Sequence, residues 1–101
     1  MAELFDMLKM AMLLDAIPNA LAAMYAIAEA LSRCDENERA FEIVTMILQY
    51  PMHDTLRVEA EILYNELEMD LSPQVIAEAT VRAEERTLDD MVAVILQMNA
   101  L

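Results

Sequence analysis

No glycine occurs anywhere in the 101 residues of this chain. A soluble chain of that length holds about seven on average, serving turns, close backbone approaches or residues at positive φ. Primed hairpin turns and glycine-rich phosphate loops lose their usual vehicle, so P-loop and dinucleotide-binding fingerprints are excluded. The remainder is rich in Ala, Leu, Met and Glu, all strong helix formers, and 58% of it is hydrophobic. These residues predict an all-α fold of five to six short antiparallel helices.

Without glycine, helix boundaries must come from prolines and capping residues. Pro18 suits the first turn of a helix, Pro51 closes one after Leu48-Gln49-Tyr50, and Pro73 opens one behind the N-cap Ser72. Asp35 with Glu38, and Thr87 with Asp90, have the spacing of capping boxes, and Asp54 can cap a helix beginning at Thr55. The expected helices cover 3–14, 18–32, 36–50, 55–68, 73–85 and 88–98. Apolar residues recur at three- and four-residue steps: Leu21, Met24, Ile27, Ala28 and Leu31; then Ala40, Ile43, Val44, Ile47 and Leu48; then Val58, Ile62 and Leu63; then Val75, Ile76 and Ala79. Gln74, Glu78, Arg82 and Glu85 form the opposite, polar face of the fifth helix.

The first and last helices are over-apolar. Leu4, Phe5, Met7, Leu8, Met10, Ala11, Met12, Leu13 and Leu14 occupy more than one face of the first, so it either buries a second side in another chain or is enclosed by later helices. The last, with Met91, Val92, Val94, Ile95, Leu96 and Met98, must be deeply buried or cover a neighbour.

Charge and length bound the function. One domain over 1–101 is expected, large enough for a core without staples. The lone Cys34 excludes an intramolecular disulfide. Nineteen acidic against six basic residues give a net charge of -13, which disfavours nucleic acid and anionic membranes alike. The longest uncharged run, Ala16 to Ala28, is 13 residues, short of the roughly 20 a membrane span needs. The first fourteen residues lack the pattern of a signal peptide, so a cytoplasmic location is expected.

The second and third helices, from Leu21 to Pro51, resemble a tetratricopeptide repeat, in which large residues interlock and small ones mark close approach. Met24, Ile27 and Leu31 stand at bulky first-helix positions and Ala28 at the small one; Ala40 takes the small second-helix position, Val44 a large one, and Pro51 the closing proline. Asp35 stands where the family has glycine at the turn, and Ile47 where alanine is common. The rest, 54–101, looks like the closing helices after the last repeat in some large bacterial signalling ATPases and transcriptional regulators. The resemblance implies a repeat-like pair over 18–51, tight helix packing at Ala28 and Ala40, and closing helices beyond.

Chemistry-bearing residues are sparse. His53 is the only histidine, and nothing in the sequence brings Cys34 or an orienting acid to it, so no catalytic residue is assigned. One Cys and one His cannot close a zinc site, no Glu-x-x-His occurs, and no calcium loop is present, so no metal or cofactor is expected. Glu59, Glu61, Glu66 and Glu68 read as a solvated face, with Arg57 pairing locally to Glu61. The ten methionines fill core gaps or, at Met7, Met10 and Met12, serve an adaptable interface.

The expectation is a non-enzymatic protein interaction module, either the terminal part of a helical-repeat array or a self-associating domain. Its surface is expected at Leu4, Leu8, Met12 and Tyr25, with a homodimer through residues 1–14. The alternative is an acidic regulator that mimics nucleic acid or blocks a basic site on a partner; a small-molecule-binding bundle would need a sizeable cavity.

Overall fold

A computed structural model describes residues 2–100, with side chains through Met98. Met1, one of the ten methionines, and Leu101 lie outside the described residues. Six helices follow in chain order: α1 (Ala2–Leu13), α2 (Ile17–Arg33), α3 (Asn37–Ile47), α4 (Asp54–Asp70), α5 (Pro73–Glu85) and α6 (Leu88–Ala100). The all-α expectation holds, with no strand among the described residues.

The first two joints are short. After α1, Asp15 adopts φ 58°, its amide donates to the Met12 carbonyl (3.2 Å), and the Ala16 amide reaches back to Ala11 (2.8 Å). After α2, Asp35 adopts φ 61°, its amide donates to Ser32 (3.3 Å), and the Glu36 amide to Leu31 (2.9 Å). Both are Schellman closures with aspartate in the left-handed position that glycine usually takes. Asp35 is therefore not the N-cap of α3: Glu36 is, without a side-chain cap bond. In so short a link, Asp35 is committed to ending the preceding helix.

The later joints are extended. Leu71 (φ -110°, ψ 150°) and Ser72 (φ -71°, ψ 153°) separate α4 from α5, and the Val75 amide donates to Ser72 Oγ at 3.2 Å, as the N-cap expectation required. Between α5 and α6, the Thr87 amide donates to Asp90 Oδ2 (3.2 Å) and the Asp90 amide to Thr87 Oγ1 (3.1 Å), completing the expected capping box. Asp54 does not cap α4; it sits in the first turn behind the N-cap His53, with its carboxylate near the positive end of the helix dipole.

The third helix stops earlier than its apolar run. Leu48 to Tyr50 form a turn in which the Gln49 and Tyr50 amides donate to the carbonyls three residues back, both at 3.1 Å. Pro51 disfavours the α conformation at Tyr50 and lacks an amide, so the last turn tightens and then releases. Arg57 Nη2 donates to the freed Tyr50 carbonyl at 3.0 Å and ties this turn to α4.

Packing centres on α3, which contacts α2, α4, α5 and α6. Its five consecutive residues Ala40 to Val44 are all buried, so no face at that level remains for water. The α2 face behaves as its periodicity predicts, with Leu21, Met24, Ile27, Ala28 and Leu31 in the core. Burying each large aliphatic side chain contributes about 1.5–3 kcal/mol relative to leaving it exposed.

The α4 stripe differs from expectation. Leu63 is buried, but Val58 and Ile62 are 55% and 53% exposed, and the core face runs through Ala60, Leu63 and Leu67. Apolar residues on α4 offer two stripes; the docked one has an alanine for close approach and stacks the Tyr64 ring on Phe41, centroids 4.9 Å apart. α6 buries Met91, Val92 and Ile95 and contacts both α1 and α3, so the last helix touches the first.

Candidate interaction surface

The α1 helix divides its apolar surplus. Phe5, Leu8 and Ala11 point into the core, while Met7, Met10, Leu13 and Leu14 are 58%, 56%, 81% and 70% exposed. Enclosure by other helices therefore accounts for one side only: α2 and α6 cover it and leave the other bare. Beside the bare side, Met7, Met10, Ala11, Leu14, Asn19 and Ala22 line an apolar groove of about 290 Å³.

The four residues expected on the surface separate. Leu8 is fully buried and is corrected to a core residue, because it lies on the α1 side facing inward with Phe5 and Ala11. Leu4 and Met12 are half-buried and pack against the core edge. Tyr25 lies elsewhere, in a cleft of about 300 Å³ between α2 and α4 that Glu29, Ser32, Glu59, Ile62 and Glu66 also line. The two alanines expected at close packing, Ala28 and Ala40, are both fully buried, one on each of the paired helices α2 and α3.

Electrostatics at Tyr25 follow from that cleft. Its hydroxyl donates to Glu29 Oε2 at 3.0 Å, and Glu29 Oε1 accepts from Arg33 at 2.7 Å. Burial, then the bond to Glu29, then the charges of Glu59 and Glu66 push the phenol up to about 12. Tyr64 is shifted the same way, by burial and Glu68. These groups favour the neutral phenol and offer no nucleophile at neutral pH.

A charged seam joins α3 to α5, and sequence reasoning missed it. Arg82 donates from Nε to Glu42 (3.1 Å) and from Nη2 to Glu38 (2.9 Å), and Arg86 pairs with the other Glu42 oxygen. Of the polar face of α5, Arg82 is thus tied to α3, while Gln74, Glu78 and Glu85 are exposed. Its guanidinium is held above the usual value, first by the hydrogen bond to Glu42 and against the opposing effect of burial. Glu42 is the one buried charged residue among those described. Two arginines one turn apart grip this carboxylate, and sliding α5 by a turn along α3 would break the fork. The available signal was an acid inside the run Ala40-Phe41-Glu42-Ile43-Val44, with arginines four apart on a later helix.

Other candidates stand apart. Cys34 is exposed at the C-cap of α2, and His53 is exposed at the N-cap of α4. Arg57 pairs with Glu61 at 3.9 Å, as its spacing predicts. Among the described residues no helix is long and apolar enough to cross a membrane. No protein-family model, curated protein or solved structure matches the chain.

Proposed function

We propose that this chain is a non-enzymatic, cytoplasmic protein interaction module of tetratricopeptide-like helical architecture, binding through the bare side of α1. The observation that carries this reading is the row Met7, Met10 and Leu13 on α1 with Leu14 in the turn behind it, all more than half exposed. Together they present on the order of 500 Å² of apolar surface, within the size range at which patches on a monomer are often functional. Methionine suits such a face because its flexible thioether adapts to a partner's contour. Of the two forms this module can take, the contact between α1 and α6 supports the self-contained domain over the end of an array. In a linear solenoid each unit touches only its neighbours.

The acidic-regulator reading is supported by a different place, the carboxylates Glu29, Glu59 and Glu66 around Tyr25. The two readings differ in salt response. Binding through an acidic face to a basic partner weakens steeply as salt rises, whereas an apolar contact does not.

A photo-crosslinking amino acid placed at position 10 or 13 tests the interaction reading, with position 84 on the exposed side of α5 as control. Protein adducts, to another copy or to a different protein, are expected at 10 and 13 and not at 84. Absence of any adduct at 10 and 13, in cells and in the purified protein, rejects it.

A further inference from the structure

We infer that the occupant of the bare α1 face is the same face of a second copy, the two α1 helices packing antiparallel about a two-fold axis. This rests on the interaction reading and names its partner. Three observations carry it: the area, the pattern of apolar residues, and the placement of the only lysine.

The area comes first. The four exposed side chains supply on the order of 500 Å², and the groove with Asn19 and Ala22 adjoins them, approaching the roughly 800 Å² that each side of a stable interface buries. The exposed apolar residues of α4 do not compete. Val58 and Ile62 are flanked by the exposed acids Glu59, Glu61 and Glu66, and a second copy there would set like charges together.

The charges decide the orientation. Lys9 is exposed beside the apolar row, one turn from Asp6, which is also exposed, and it makes no ion pair among the described residues. A two-fold axis perpendicular to an antiparallel helix pair brings the same flank of each helix together. With that axis at the level of Leu8 and Lys9, the rise of about 1.5 Å per residue sets Lys9 within one turn of the partner's Asp6, and the symmetry repeats the pair. The same register places Met7 across from the partner's Met10 and overlaps the two helices along most of their length. A parallel arrangement would instead bring opposite flanks together and leave Lys9 away from the partner subunit's Asp6. The face is therefore self-complementary in the antiparallel sense, with two ion pairs at the rim of a methionine-lined contact.

Sedimentation equilibrium of the full chain, from low micromolar to several hundred micromolar, reads the result directly. Twice the 11.4 kDa protomer mass is expected at the upper end. Met10→Glu should give the monomer mass with unchanged helicity by circular dichroism, since this side chain lies outside the core. Asp6→Lys and Lys9→Glu, each alone, should weaken the dimer roughly fivefold, and the doubly exchanged variant should recover it. The single variants shift net charge in opposite directions, so a weakening shared by both reports the pair and not overall repulsion. A monomer at every concentration, a dimer indifferent to Met10→Glu, or failure of the double exchange to recover affinity each overturns the inference. If the chain is monomeric but position 10 crosslinks a different protein, the second copy is rejected and the interaction reading stands. If neither position 10 nor position 13 crosslinks anything, both fall.

Discussion

Between α1 and α2, and again between α2 and α3, an aspartate in the left-handed conformation reverses the chain; after α4 and after α5, one or two extended residues and a side-chain cap turn it instead. The two kinds of joint send helices to different places. A Schellman closure with one left-handed residue folds the next helix back beside its predecessor, so α2 packs along α1 and α3 along α2. An extended joint carries the chain away from the helix just finished, and α5 settles on α3 while α6 reaches α1 and α3. A chain without glycine thus makes its tight reversals where aspartate can occupy positive φ, and elsewhere relies on Ser72 and Thr87 to satisfy the first amides of a helix.

The sharpest way to break this division is at the seam between the halves. Phe41→Ala removes a fully buried ring that stacks on Tyr64 and should cost about 3–5 kcal/mol, read from the shift in urea midpoint. Circular dichroism and tyrosine fluorescence should move together; separate transitions would mean that α4 to α6 form an independent unit. Next in size, Thr87→Ala should lose about 1 kcal/mol, because the Asp90 amide loses its acceptor. At the other kind of joint the sign reverses: Asp35→Gly should stabilise by a few tenths to about 1 kcal/mol, relieving an L-residue at φ 61°. A destabilised glycine variant would show that the Asp35 side chain has a role its backbone does not reveal.

An effect absent at neutral pH concerns Tyr25, in the cleft between α2 and α4. This phenol is neutral when protonated, and its native value of about 12 lies above the ordinary 10.0. The unfolded chain therefore releases this proton first. The contribution to stability is complete below pH 10 and is lost as pH rises toward about 12. Tyr25→Phe should remove a late step from the tyrosinate absorbance titration and flatten the alkaline decline in urea midpoint.

How much of this was legible in the sequence depends on whether the signal was local. The number and order of the helices, the Ser72 and Thr87 caps and the α2 core face follow from spacing along one segment, and these are found as expected, although α3 ends at Ile47 and not at Tyr50. The Asp35 and Asp54 caps failed locally, each by one position, while the larger errors have a different origin. Val58 and Ile62 lie on one of two possible apolar stripes of α4, and only the α3 surface, with Phe41, selects the other. Leu8 was indistinguishable from Met7 or Met10 until α2 and α6 covered one side of α1. The link from Glu42 to Arg82 spans 40 positions, and no periodicity within either helix records it.

The burial of α3 on every side from Ala40 to Val44 has a consequence for how the molecule comes apart. In repeat proteins the end units fray singly, because each is held by one neighbour. Here α2, α4, α5 and α6 all lean on one eleven-residue helix. Each of these helices covers α3 through a seam of its own, so lifting any one of them leaves α3 covered by the rest. The amides of α3 should consequently be the last in the chain to exchange with solvent, through global opening alone.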